Sequence, residues 1–105
     1  MALSITSHRR DDEVTLFLAG EIDIAGAPDL DAVLAEAAHW PDVSGVVVDL
    51  SALTFTDSTG IGALIRGRRL ADANGKRYTV VSARHGVREV LDLAAVWHFL
   101  HAEHR

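Results

Sequence analysis

The sequence contains no cysteine, which excludes a disulfide framework and any thiolate metal centre. It has no uninterrupted apolar run approaching the ~20 residues that span a bilayer, so no membrane insertion is expected. Met1-Ala2-Leu3-Ser4 leads straight into alternating sequence, and no signal peptide is expected; a cytoplasmic location fits. A Gly-x-x-x-x-Gly-Lys-Ser/Thr loop is missing, as are a kinase-type lysine and a metal-binding set, so no cofactor is expected. Aromatics are few, and the two tryptophans, Trp40 and Trp97, lie far apart. They read as core or rim packing rather than a base-stacking platform. Positive charge is also scarce: 10 Lys and Arg face 15 Asp and Glu, a net charge of -5 that argues against nucleic acid as partner.

What is present is enough apolar sequence, 49% of 105 residues, to build one core and one domain over residues 1–105. The charge is divided unevenly. Residues 1–57 carry -9 and residues 58–105 carry +4. Uneven surface decoration is the plainer account of that split, and a polar surface that steers a protein partner is the functional one.

Ser4–Thr6 and Val14–Leu18 alternate as strands and are joined by the charged turn at Arg9-Arg10-Asp11-Asp12, which predicts a hairpin. Pro28 suits the first turn of a helix. Leu30, Val33, Leu34, Ala37 and Ala38 then recur at helical spacing until Pro41 ends the run. Val46–Leu50 is an apolar run without alternation and predicts a central strand covered on both faces. A second helix is expected over Ser58–Ala73, with Ile61, Leu64, Ile65 and Ala71 inward and Arg66, Arg68, Arg69 and Asp72 solvated. Asn74-Gly75 stops it. Arg77–Val81 reads as a strand, and a third helix follows Gly86 with Val87, Val90, Leu91 and Ala94 on one stripe. Val96–Leu100 is either a last strand or a packed extension. The order predicts an α/β fold with a mixed sheet of four to five strands, an N-terminal hairpin and three main helices.

The segment Phe55-Thr56-Asp57-Ser58-Thr59-Gly60-Ile61-Gly62 joins the central strand to the second helix. Ser58 falls where the helix begins, so its hydroxyl is expected to act as N-cap. A phosphate there would meet unpaired backbone N–H groups. Gly60 is expected to leave room for another protein's active site, because a helical glycine otherwise costs up to ~1 kcal/mol relative to alanine. Gly62 is expected to serve close packing of helix on strand.

Four segments, Gly20–Asp23, Val46–Ser51, Asp57–Gly62 and Ser82–Leu91, resemble the STAS domain of bacterial anti-sigma factor antagonists in order and spacing. The resemblance covers most of the chain. It implies that Ser58 is phosphorylated by an anti-sigma factor that is also a serine kinase. The unphosphorylated antagonist would bind that partner and free a sigma factor. Phosphorylation would end the binding, and a serine phosphatase would restore it. Asp23 matches the family's acidic loop residue and Asp57 its acid before the acceptor. The expected partner surface is the start of the second helix, the loop from Glu21 to Gly26 and nearby polar residues, with Glu21, Asp23, Asp57, Ser58, Thr59, Gly60, Gly62 and Arg66 named in it. The tail departs from the family: Ala94-Ala95-Val96-Trp97 stands in place of a Gly-Leu segment.

Other readings are weaker. Thr56-Asp57-Ser58-Thr59-Gly60 lacks the first glycine of Gly-x-Ser-x-Gly, so a serine hydrolase served by His39 or His85 is disfavoured and no catalytic residue is expected. His98, His101 and His104 share a spacing of three, which reads as a polar tail rather than a metal site. A different job for the same fold is a scaffold subunit of a stress-signalling assembly or of a transport system.

Overall fold

A computed structural model describes residues 2–101. Eight elements follow in chain order: β1 Ser4–Arg10, β2 Glu13–Ile22, α1 Ala27–His39, β3 Gly45–Thr56, α2 Ser58–Ala73, β4 Arg77–Val81, α3 His85–Leu93 and α4 Trp97–His101. The strands form one sheet in the order β1-β2-β3-β4. β1 pairs antiparallel with β2, while β2 with β3 and β3 with β4 are parallel. Asp11 and Asp12 make the two-residue hairpin loop between Arg10 and Glu13, and Asp11 takes the left-handed φ of 55° that such a turn requires.

Period-2 alternation sets the two sheet faces. Val14, Val46 and Tyr78 lie side by side in register, as do Leu16, Val48 and Val80, and all six are buried. This face carries α1 and α2, with the Tyr78 hydroxyl donating to Leu64 O of α2 at 2.9 Å. Burial pushes the Tyr78 hydroxyl well above its ordinary pKa, with Arg68 pulling weakly the other way. The opposite rows are Thr15, Val47 and Thr79, and Phe17, Asp49 and Val81. There Val47 and Asp49 are only half buried and Phe17 is 41% exposed. The strand β3 therefore alternates in burial and is not covered equally on both faces, contrary to the expectation from its β-branched run. A parallel strand needs helical crossovers, but both long helices, α1 and α2, sit on the same side.

The helices form for local reasons. Pro28 occupies the first turn of α1, where its missing N–H costs nothing. At the other end Trp40 is held extended (ψ 121°) by the following Pro41. In α2, Leu64 and Ala71 are buried, and Ile61 and Ile65 pack partly against the core. Val87 and Leu91 bury the inner stripe of α3, whereas Val90 is half buried and Ala94 is exposed.

At the C-terminal side the tail takes the packed-extension alternative, and one expectation fails for the same reason. The tail forms a short helix, α4, so the sheet stops at four strands. Arg68, expected in solvent, is fully buried beneath α4. Its Nη1 donates to Phe99 O at 2.5 Å, its Nε to Asp72 Oδ2 at 3.3 Å, and the guanidinium lies 5.1 Å from the Phe99 ring centre. The helix α4 also shields the free edge of β4. Thr79 Oγ1 donates to His101 O at 2.5 Å, and His101 Nδ1 meets Val80 O at 2.9 Å. An edge strand left bare would invite pairing with another chain. Trp97 stacks on His101 at 4.8 Å and carries the Arg88 guanidinium at 4.3 Å, so it packs at the rim.

Candidate functional site

The ends of β2 and β3 bring the candidate residues together. Ile22 pairs with Thr56 and Glu21 with Phe55. One step further on, Asp57 N donates to Ile22 O at 3.1 Å, which ties the two outgoing loops to each other. Asp23 and Asp57 therefore leave neighbouring positions on the same end of the sheet, and α2 starts beside the second of them.

Asp57, not Ser58, is the N-cap of α2. Its backbone is extended (φ -102°, ψ -172°), and its Oδ1 accepts from Thr59 N at 2.9 Å and Gly60 N at 3.2 Å. The same oxygen accepts from the Thr59 hydroxyl at 2.5 Å. A carboxylate caps as well as a hydroxyl and also complements the helix dipole, so the acid takes the cap and serine moves to the first helical position. Two donors that a phosphate on Ser58 was expected to meet are thus already engaged.

Ser58 is exposed. Its hydroxyl has no hydrogen-bond partner among the described residues, and so none of them competes with an incoming enzyme for it. The hydrogen bond from Thr59, then those from the two backbone N–H groups, hold the Asp57 carboxyl below its usual range. A depressed carboxylate stabilises the fold above its unfolded pKa of about 3.9, and that contribution fades as pH falls through the lower folded value. Replacing Asp57 with Asn, itself a good N-cap, should make the acid limb of a urea-unfolding series shallower. An unchanged acid limb would show that the cap does not titrate with folding.

Asp23 is exposed and organises its own loop. Its Oδ1 accepts from Ala25 N at 3.1 Å and Gly26 N at 3.2 Å, while its carbonyl accepts from Gly26 N and Ala27 N. Glu21 is half buried within β2. Arg66, half exposed on α2, makes a two-pronged ion pair with Asp31 of α1, with both contacts at 2.9 Å. That hydrogen bond raises the Arg66 pKa. The pair joins the two helices close to the site.

The two glycines exchange the roles expected of them. A Cβ on Gly60 would run into Thr56 Oγ1 and, at 2.8 Å, into Ile22 Cγ2. Gly60 is buried and lets the first turn of α2 sit on the ends of β2 and β3. It does not open a path to Ser58. A Cβ on Gly62 would meet only the tip of Arg66, at 3.1 Å, so this position bears on the surface pair and not on helix–strand contact. Gly60→Ala should therefore cost about 1–3 kcal/mol in chemical denaturation, as overpacking does, whereas Gly62→Ala should be nearly silent. Equal effects would contradict this assignment.

Two apolar residues were not singled out in sequence, although one of them, Ile24, lies in the loop expected to face the partner. Ile24, in the loop after Asp23, is 77% exposed, and Phe55, beside Thr56, is 46% exposed. The available signal was a branched apolar residue set among loop-forming ones in Asp23-Ile24-Ala25-Gly26. His39 bonds to Ala35 O, and His85 faces Glu89, so neither histidine is engaged with Ser58. No group of three or more His, Asp or Glu among the described residues is placed to hold a metal. His104 lies outside them. No helix among the described residues is long and apolar enough to cross a membrane.

Comparison with known proteins agrees with this architecture. Residues 5–101 match a family described as "Mlab, STAS domain". An anti-sigma-B factor antagonist of Staphylococcus epidermidis is 25% identical over 101 residues, covering 96% of this chain and 93% of that protein. The crystal structure of an anti-sigma factor antagonist from Mycobacterium paratuberculosis superposes with a TM-score of 0.74 at 26% identity, over 90% of this chain and 80% of that one. The Bacillus cell fate determinant SpoIIAA in its phosphorylated form shares the fold, with a TM-score of 0.73 at 18% identity over 97% and 92% of the two chains. The hairpin-led mixed sheet, the paired loops at its end and the family match to nearly the whole chain together place this protein in the STAS domain family.

Proposed function

We propose that this protein is an anti-sigma factor antagonist whose Ser58 is the phosphoacceptor. In its unphosphorylated form it binds an anti-sigma factor that is also a serine kinase, and a sigma factor is freed. Phosphorylation of Ser58 by that partner ends the binding, and a serine phosphatase restores it. The protein is a substrate and ligand, not an enzyme, and ATP and Mg²⁺ belong to the kinase. The observation that carries this reading is the Ser58 hydroxyl itself, exposed and without a hydrogen-bond partner among the described residues, at the start of a helix already capped by Asp57. The relative in Staphylococcus epidermidis named as an anti-sigma-B factor antagonist supports it, as does the existence of SpoIIAA in phosphorylated form.

The partner-facing surface comprises Glu21, Asp23, Ser58, Thr59, Gly62 and Arg66, with Asp57 and Gly60 shaping it from within. Ile24 and Phe55 add apolar area that a surface of carboxylates alone would lack. Incubation with the kinase and ATP, followed by intact mass measurement and peptide mapping, tests the reading. One added phosphate on Ser58 is expected, and none on wild type would overturn it. The less covered sheet face around Phe17 favours a second reading, a scaffold or transport-associated STAS subunit. That reading predicts partner binding indifferent to changes at Ser58.

A further inference from the structure

Two hydroxyls stand next to each other at the start of α2, and they are not equivalent. The Thr59 hydroxyl donates to Asp57 Oδ1 at 2.5 Å. Ser58 is more exposed than Thr59 and its hydroxyl has no such partner. We propose that Asp57 is the specificity-determining residue that directs phosphoryl transfer to Ser58 and bars it from Thr59. This rests on the reading above, that a partner kinase uses this site.

The transfer needs the hydroxyl oxygen to attack the γ-phosphorus of ATP. A P–O bond forms to the side chain, the bond to ADP breaks, and the hydroxyl proton passes to a base of the kinase. At Thr59 both requirements are opposed. The proton is held by a carboxylate of this protein and points away from any outside base. That carboxylate oxygen lies in direct hydrogen-bond contact with the Thr59 hydroxyl oxygen, so an anionic γ-phosphate brought onto Thr59 would have to approach Asp57 at contact range. The short hydrogen bond is charge-assisted and belongs to the stronger class. The backbone bonds from Thr59 N and Gly60 N fix Asp57 Oδ1 in place, so the carboxylate cannot swing aside without uncapping the helix. Ser58, one residue earlier, projects from the first helical position on a different bearing and escapes this hold.

The test uses the kinase and ATP, with the site of phosphate located by fragmentation mass spectrometry. Wild type serves as the control for the functional reading: without a phosphate on Ser58, that reading fails before this one is reached. Ser58→Thr should accept phosphate at position 58, which shows that the kinase tolerates a threonine hydroxyl. Ser58→Ala should accept none at Thr59. Ser58→Ala combined with Asp57→Ala should gain phosphate on Thr59, at about tenfold or more above the detection limit at which Ser58→Ala alone shows none. Because Asp57→Ala also removes the cap, the combination Ser58→Ala with Asp57→Asn is run beside it. It keeps a capping side chain but removes the charge, and an intermediate rate at Thr59 is expected. A merely structural role for Asp57 would slow modification everywhere and would not redirect it. Phosphate on Thr59 in Ser58→Ala, failure of Ser58→Thr, or no phosphate on Thr59 in both double variants would each overturn the proposal.

Discussion

Ser58→Glu is expected to lose roughly a thousandfold in affinity for the proposed partner kinase, a difference of about 4 kcal/mol, while Ser58→Ala retains binding and becomes insensitive to ATP. The expectation follows from position. Ser58 lies at the exposed entrance of α2, next to the Asp57 carboxylate and on the same sheet end as Asp23. A carboxylate or phosphate brought there must be stripped of water when a partner docks, close to acids that are already present. Within the free domain the added charge stays in water, which screens it from Asp57 and Asp23, and it meets the favourable end of the helix dipole. The fold should therefore be unaffected, and circular dichroism of Ser58→Glu should match wild type. Because the cap belongs to Asp57, Ser58→Ala should also leave stability nearly unchanged. Wild-type affinity for Ser58→Glu would mean that the partner does not cover this position.

The largest stability effect is expected at Arg68, far from the proposed chemistry. Its side chain is fully buried between α2 and α4, donates to Phe99 O and Asp72, and lies against the Phe99 ring. Arg68→Ala removes a large buried side chain and takes the donor from the part-buried Phe99 carbonyl, which should cost about 3 kcal/mol or more. Hydrogen exchange should rise throughout α4 and along β4, whose outer edge α4 covers. Arg68→Met, which fills much of the space without charge, should cost less. The proposed partner contacts at the other end of α2 should keep their affinity in both variants. Exchange confined to the Arg68 neighbourhood, with α4 still protected, would show that the tail is held by Leu100 and His101 alone.

Most of the architecture could be read from spacing because each element follows one dominant rule. Alternation gave the hairpin, Pro28 and Pro41 bracketed α1, and Asn74-Gly75 marked the end of α2. The misreadings share a cause: they concern which of two neighbouring residues meets a distant part of the chain. Either Asp57 or Ser58 suits a cap on local chemistry, and the choice depends on where Asp57 N bonds, namely Ile22 O, 35 residues earlier. Gly60 and Gly62 are indistinguishable in sequence, and only the seat of the helix on Thr56 and Ile22 separates them. Arg68 looks solvated among Arg66 and Arg69 until a short helix formed 30 residues later is laid over it. Ile24 and Phe55 were obscured for the converse reason, since apolar residues are assigned inward by default.

The most direct measurement compares one preparation of the protein before and after a single phosphate is placed on Ser58, by calorimetric titration against the proposed kinase partner together with backbone amide spectra. The account predicts roughly a thousandfold weaker binding and amide shifts limited to the start of α2 and the Asp23 loop. Unchanged affinity, or shifts spread across the sheet and α3, would contradict it.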